Sequence, residues 1–208
     1  MSSDILHRNA LSEPPPHPFD RLLLNPPFGT LPSPPRSPAP LRGGKQAELL
    51  FLDLTLHSLK LGGRGAIILP SGVLFRQGQA YRLLRQSLVD QFRLTTVVNL
   101  PPKTFQQPGG RGGSGVATHL FVFGNGGQTE IVHFYDLTDL SLDNCESWHT
   151  SRAEIVTSGY DLSPNRYRPL PDPEPPRPVA DIWAELQALE AEIAHTNAEL
   201  QHMLTDLL

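Results

Sequence analysis

Phe19-Asp20-Arg21-Leu22-Leu23-Leu24-Asn25-Pro26-Pro27-Phe28-Gly29 is the stretch whose reading decides the fold. Leu22, Leu23 and Leu24 form a short apolar run that stops at Asn-Pro-Pro. Two consecutive prolines fix φ and remove two backbone donors, so the run reads as a buried strand ending in a loop. Pro26 also steers Asn25 away from helical backbone and holds it extended at the strand's carboxyl end. Ligands of open α/β sheets bind just outside those ends.

An amide side chain, a proline carbonyl and an aromatic ring therefore converge at one strand tip. This suits a planar exocyclic amine, a poor nucleophile because its lone pair is delocalised into the ring. The Asn25 side-chain oxygen and the Pro26 carbonyl can hold its two hydrogens and favour the pyramidal form that attacks. Phe28 can stack on the base. An amine so held can attack a sulfonium methyl directly, provided that the base first leaves the duplex. The competing reading of Asn-Pro-Pro-Phe is a proline turn that merely caps a strand.

Three further words follow in order. They are Leu61-Gly62-Gly63-Arg64-Gly65-Ala66-Ile67-Ile68-Leu69-Pro70-Ser71-Gly72-Val73-Leu74-Phe75, then Val98-Asn99-Leu100-Pro101-Pro102 with Phe105, then Gly159-Tyr160-Asp161-Leu162-Ser163-Pro164-Asn165-Arg166-Tyr167. With Asn25-Pro26-Pro27-Phe28 they resemble the adenine-N6 DNA methyltransferases that form the modification subunit of type I restriction–modification systems. The resemblance runs from about Asp20 to Tyr167 and covers the carboxyl-terminal portion of such a protein.

The resemblance implies the second half of a Rossmann-like fold dependent on S-adenosylmethionine, with an antiparallel edge and a C-terminal coiled-coil-like helix. It implies Asn25, Pro26, Pro27 and Phe28 as catalytic residues, with Lys103 and Phe105 on the substrate. Loop packing is the other reading of Phe105. The implied substrate is double-stranded DNA. The implied partners are a specificity subunit and, as a further candidate, a restriction subunit, or else a chain that supplies the cofactor half. In the family a glycine-rich turn upstream of the catalytic strand cradles the cofactor, and nothing like it lies between Met1 and Phe19. The expectation is a truncated or split enzyme that does not bind S-adenosylmethionine alone. The rival is a catalytically inactive remnant acting as a coiled-coil interaction module.

Composition agrees with one sizeable core. The 208 residues carry a net charge of −4, which excludes a polybasic nucleic-acid binder. One cysteine, Cys145, excludes an internal disulfide and suits a reducing interior. No apolar run is long enough for a membrane span, and Met1-Ser2-Ser3-Asp4 does not begin a leader. A cytoplasmic protein is expected.

The 22 prolines mark loops and a linker. Ile5–Leu11 reads as a short edge strand. The proline segment from Leu31 to Pro40 either closes over substrate or is a solvent-exposed insertion. A helix is expected over Gln46–Lys60, ended by Gly62-Gly63. Asp53 and His57 lie four apart on it, without a third metal ligand. Ala66–Leu69 reads as a strand and Gln79–Asp90 as an amphipathic helix. That helix carries Arg82 and Arg85 on a solvated face or against phosphate. Leu94–Leu100 and Val116–Phe123 read as strands, and Glu130–Tyr135 as the hairpin partner of the latter. The run Gly109–Gly115 reads as a flexible loop, since it lies before a strand rather than between strand and helix.

The expected organisation is a catalytic portion over 1–168, a proline-rich linker over 169–179 and a helix over 180–208. In the last, Ile182, Leu186, Leu189, Ile193, Thr196, Leu200, Met203 and Leu207 alternate spacings of four and three. That is a heptad seam with one polar position. It either meets a partner helix or packs back on its own domain, and the proline linker favours the former.

Overall fold

Apolar strands alternating with leucine-rich helices build one mixed sheet. The computed structural model describes residues 5, 7–33, 44–102, 104–105, 116–137, 139, 145–170 and 178–206. The strands are β1 (Phe19–Leu24), β2 (Leu59–Pro70), β3 (Phe92–Asn99), β4 (Thr118–Asn125), β5 (Ile131–Leu137) and β6 (Cys145–Ser151). The helices are α1 (Ala47–His57), α2 (Gly72–Phe75), α3 (Gln79–Asp90), α4 (Arg152–Thr157), α5 (Pro164–Tyr167) and α6 (Val179–Asp206). The chain divides into two units, Met1–Pro169 and Leu170–Leu208.

The strand order is β1-β2-β4-β3-β5-β6. β1 is parallel to β2, and β3 to β5, whereas β4 is antiparallel to both β2 and β3, and β6 to β5. The carboxyl ends of β1, β2, β3 and β5 therefore share one edge of the sheet with the amino ends of β4 and β6.

The core gathers Leu49, Leu52 and Leu56 of α1, Leu84 and Leu88 of α3, Ile67 and Leu69 of β2, Phe121 and Phe123 of β4, and Phe134 of β5. Phe134 lies stacked between Trp148 and Tyr167, with centroid separations of 6.0 and 5.5 Å. Each fully buried side chain of this size contributes about 1.5–3 kcal/mol by leaving water. Leu50 and Leu54, on the other side of α1, join Leu11 in a smaller cluster, so α1 is apolar nearly all round. Gly65 answers a close approach: a β-carbon there would lie 2.8 Å from the Phe123 ring, its antiparallel partner across β2 and β4.

The structure corrects several expectations. β4 and β5 are not a hairpin, because β4 is inserted between β2 and β3 while β5 runs on the other side of β3. The connection causes this. Gly126 and Gly127 take φ of 123° and 92°, and Thr129 is then pinned to the start of β3. Its N–H donates to Val89 O and its hydroxyl accepts from the Leu94 N–H at 2.9 Å. The chain is thereby sent past β3 rather than back along β4.

Around Ile5–Leu11 the described residues form a turn instead of an edge strand. Asn9 Oδ1 accepts from the Leu11 N–H, and its carbonyl accepts from Ser12 and Glu13. Such local asparagine bonds compete with strand pairing. α1 stops at His57, where the Ser58 N–H donates to Leu54 O and Thr55 O, and β2 begins at once. Gly62 and Gly63 therefore lie within a strand, not past a helix end. β6 was not anticipated from Cys-Glu-Ser-Trp-His-Thr-Ser, in which only Trp148 and Thr150 are buried. Lys103, Gly109–Gly115 and residues 34–40 and 171–177 lie outside the described residues.

In the second unit, α6 is one continuous helix of 28 residues. Ile182, Leu186, Leu189, Ile193 and Leu200 are all between 44 % and 60 % exposed. The Thr196 hydroxyl turns inward to the Glu192 carbonyl at 2.9 Å. Leu207 and the Met203 side chain lie outside what is described.

Candidate active site at the carboxyl edge of the sheet

β1 carries Leu22 and Leu24 against the core and turns Leu23 the other way, where it is 85 % exposed. Among the described strands β1 pairs only with β2, so it is a rim strand here rather than the buried strand expected from its three leucines. The turn that follows exposes Asn25, Pro27 and Phe28 and buries Pro26.

That turn is clasped to the start of α1. Gly29 adopts φ of 105°, a conformation open to glycine. Its N–H donates to Glu48 Oε2 at 3.0 Å, and its carbonyl accepts from the Ala47 N–H at 2.8 Å. One residue on, Thr30 bridges Gln46, and Leu31 N–H donates to Lys45 O. Glu48 is buried, and its carboxylate sits in the first turn of α1, where the helix dipole favours a negative charge. The asparagine, the prolines and the phenylalanine thus leave a fixed strand and enter a fixed helix. Sequence reasoning did not single out Glu48. Its only signal is an acid at the head of an otherwise leucine-rich helix.

Phe105 is 43 % exposed in a turn beyond β3, where the Thr104 hydroxyl donates to Pro101 O at 2.6 Å. It shares the carboxyl edge with Asn25.

A second feature of this edge lies across the last rung of the sheet. His119 of β4 and Asp136 of β5 are both registered on Asn99 of β3. Asn99 Nδ2 donates to Asp136 Oδ1 at 2.6 Å, and Arg168 NH1 lies 3.6 Å from Asp136 Oδ2. His119 is buried, and burial pushes its pKa down to about 4 against the opposing pull of Asp136. Its Nδ1 stands 3.4 Å from Ser71 Oγ, whose hydroxyl donates to Ala117 O at 2.8 Å. Ser71, Asn99, His119 and Asp136 line a cavity of about 340 Å³ with Phe75, Pro164 and Asn165. Sequence reasoning passed over His119 and Asp136.

Arg85 also departs from expectation. It is neither on a solvated face nor presented to phosphate, being 1 % exposed. Its guanidinium donates to the carbonyls of Tyr160, Val73 and Arg76 at 2.7, 2.9 and 3.1 Å. Tyr160 takes φ of 64° and donates its hydroxyl to Asp90, which Arg152 also holds. The Gly159–Tyr167 word is thereby stapled beneath the carboxyl edge. Arg82 is exposed, as a solvated face requires.

Among the described residues no group of three acidic, histidine or cysteine side chains is placed to hold a metal. No described helix is long and apolar enough to cross a membrane.

The sheet is of the kind found in methyltransferases. Residues 1–148 match the N-6 DNA Methylase family model, and the chain belongs to that family. It is 31 % identical over 138 residues to the methylase subunit of type I restriction enzyme EcoEI of Escherichia coli, which is 64 % of this chain and 27 % of that protein. A chain from a structure of the assembly and conformational transition of the type I R-M system superposes with a TM-score of 0.63 at 27 % identity. That match covers 98 % of this chain and 49 % of the other. The M protein of type I restriction enzyme EcoKI superposes with a TM-score of 0.62 at 22 % identity, over 93 % of this chain and 53 % of its own, and shows the shared fold. The chain thus spans about a quarter of the EcoEI subunit and about half of each of those two solved chains.

Proposed function

We propose that this chain carries the substrate-activating half of an adenine-N6 DNA methyltransferase of the type I modification-subunit kind. In this reading Asn25 and the Pro26 carbonyl hold the two hydrogens of a flipped adenine's amino group, while Phe28, seconded by Phe105 and Lys103, packs against the base. The methyl group comes from S-adenosylmethionine. The observation that carries the reading is the Asn25–Phe28 turn, clasped by Glu48 at the carboxyl end of β1 within the region that matches the family model.

The described residues do not fit the cofactor. The glycines with positive φ (Gly29, Gly44, Gly62, Gly126, Gly127 and Gly159) form no glycine-rich turn from a strand tip into a helix N-terminus, the arrangement that cradles such groups. The reading therefore assigns the cofactor to residues beyond this half of the fold, in the same or another polypeptide. The solvent-facing outer side of β1, with Leu23 exposed, is where that part would join. The half-exposed seam of α6 is read as the contact for a specificity subunit, in a second half of a Rossmann-like fold with a coiled-coil tail. The same seam favours the alternative, an inactive remnant that only binds partners.

The test uses a complex in which the cofactor-binding part is supplied. Asn25→Ala should abolish transfer of tritiated methyl groups to DNA while leaving DNA association intact, because the asparagine acts on the amine in the transition state. Near-normal turnover in the variant would return the turn to a structural role. No transfer even by the unaltered complex would favour the remnant.

A further inference from the structure

The polar rung of His119, Asn99 and Asp136 has no part in holding the amine at Asn25. Strands lie about 4.8 Å apart, and β4, β3 and β5 are the second to fourth strands in from β1. The rung therefore lies roughly 10–19 Å across the sheet from the β1 tip, farther than one base spans. It nevertheless faces a cavity at the same edge, of a size within the range of about 300–1,000 Å³ typical of small-molecule sites.

The hydrogen-bond roles in that cavity follow from its geometry. Ser71 has one hydroxyl proton, and the 2.8 Å bond to Ala117 O uses it. With that proton so used, the tautomer that makes the 3.4 Å contact to His119 a hydrogen bond carries its proton on Nδ1. The ring is neutral, and its Nε2 is left as a bare acceptor. Among the described residues Nε2 meets no hydrogen-bond partner, and the His119 side chain lines the cavity. Asn99 spends an N–H on Asp136 Oδ1, which leaves its own carbonyl oxygen as an acceptor. Asp136 lies 3.6 Å from Arg168, whose guanidinium is also bonded to Glu146, so the Asp136 carboxylate stands beside these groups as a further acceptor. The result is a convergent set of acceptors beside the apolar faces of Phe75 and Pro164.

We propose that this cavity is a binding subsite for a nucleobase bearing an exocyclic amino group, which donates to His119 Nε2 and the Asn99 carbonyl while its ring lies against Phe75 and Pro164. The acceptor geometry and the cavity stand by themselves; the choice of a nucleobase rests on the DNA-methylase reading above. The base comes either from nucleic acid, as a neighbour of the one offered to Asn25, or from a free nucleoside.

Saturation-transfer NMR on the full 208-residue chain tests it, with adenosine, with purine riboside (the same molecule without the amino group) and with a single-stranded adenine trinucleotide. Adenosine or the trinucleotide should bind at least about tenfold more tightly than purine riboside, because a site built to pair an N–H rejects the ligand that lacks it. In an Asn25→Ala background, which silences the amine-holding turn, the preference should persist, and adding His119→Leu, with its fold checked by circular dichroism, should abolish it. Adenosine as good as the trinucleotide assigns the site to a free nucleoside, and trinucleotide alone assigns it to nucleic acid. Equal binding of adenosine and purine riboside, no binding of any probe, or a preference that survives His119→Leu would overturn the proposal. Should that variant not fold, the His119 Nε2 nitrogen shift in the unaltered chain decides. It must move with the amino-bearing probes and stay still with purine riboside. A failed Asn25→Ala transfer test leaves this result untouched, so the two readings fail separately.

Discussion

Glu48, in the first turn of α1, accepts a hydrogen bond from the backbone N–H of Gly29 at 3.0 Å. The contact joins residues 19 positions apart and fixes the far end of the Asn25-Pro26-Pro27-Phe28 turn. Gly29 is exposed and Glu48 buried, and a hydrogen bond of this kind contributes about 1 kcal/mol net. Glu48→Ala should therefore lose about 1 kcal/mol in urea denaturation, whereas Glu48→Gln, which keeps an acceptor oxygen, should lose clearly less. Equal losses would mean that packing of the side chain, not its bond to Gly29, holds the turn.

Stability should fall on mild acidification through His119. Its folded pKa is depressed to about 4 from 6.5, chiefly by burial. The unfolded chain therefore binds a proton that the folded chain refuses. The stability is fully present above pH 6.5 and is lost as the pH falls toward 4, by about 3 kcal/mol over that window. Urea midpoints measured across that range should show the slope, and His119→Leu should flatten it. An unchanged slope in the variant would place the titration elsewhere.

The Asn-Pro-Pro-Phe turn, α3 and the continuous tail helix were legible in the sequence because each depends on neighbours in the chain. Proline chemistry stops β1 after Leu24, and helical periodicity places Leu84 and Leu88 on one face of α3. What was not legible depends on partners far away in sequence. Nothing local shows that β4 enters between β2 and β3, since Thr129 decides it by bonding to Val89 and Leu94. Asn99, His119 and Asp136 meet only through sheet register. Arg85 reads as one more surface arginine until three carbonyls surround it.

The isolated chain should bind S-adenosylmethionine weakly or not at all. No glycine-rich turn between a strand and a helix is present among the described residues. Isothermal titration on the purified chain checks this. A low-micromolar dissociation constant would show a cofactor site on this chain.

The α6 seam should be an intermolecular contact. An isolated helix gains little stability in water unless its apolar face is buried. Leu189 and Ile193 are 52 % and 60 % exposed and adjacent on the seam. Leu189→Asp with Ile193→Asp should abolish association with a specificity subunit or with a second copy, and leave the melting transition of the Met1–Pro169 unit in place. Light scattering after size exclusion reads the first outcome and calorimetry the second. Unaltered association would remove the seam from the interface.

The exposed outer side of β1 also bears on how this protein must be made. Among the described strands β1 pairs on one side only and exposes Leu23, and such an edge is a template for any passing strand. Such a rim invites precipitation during synthesis, when newly made chains are concentrated and nothing yet shields it. Yield of the chain should then depend on what is synthesised beside it, and the timing of production becomes part of its biology.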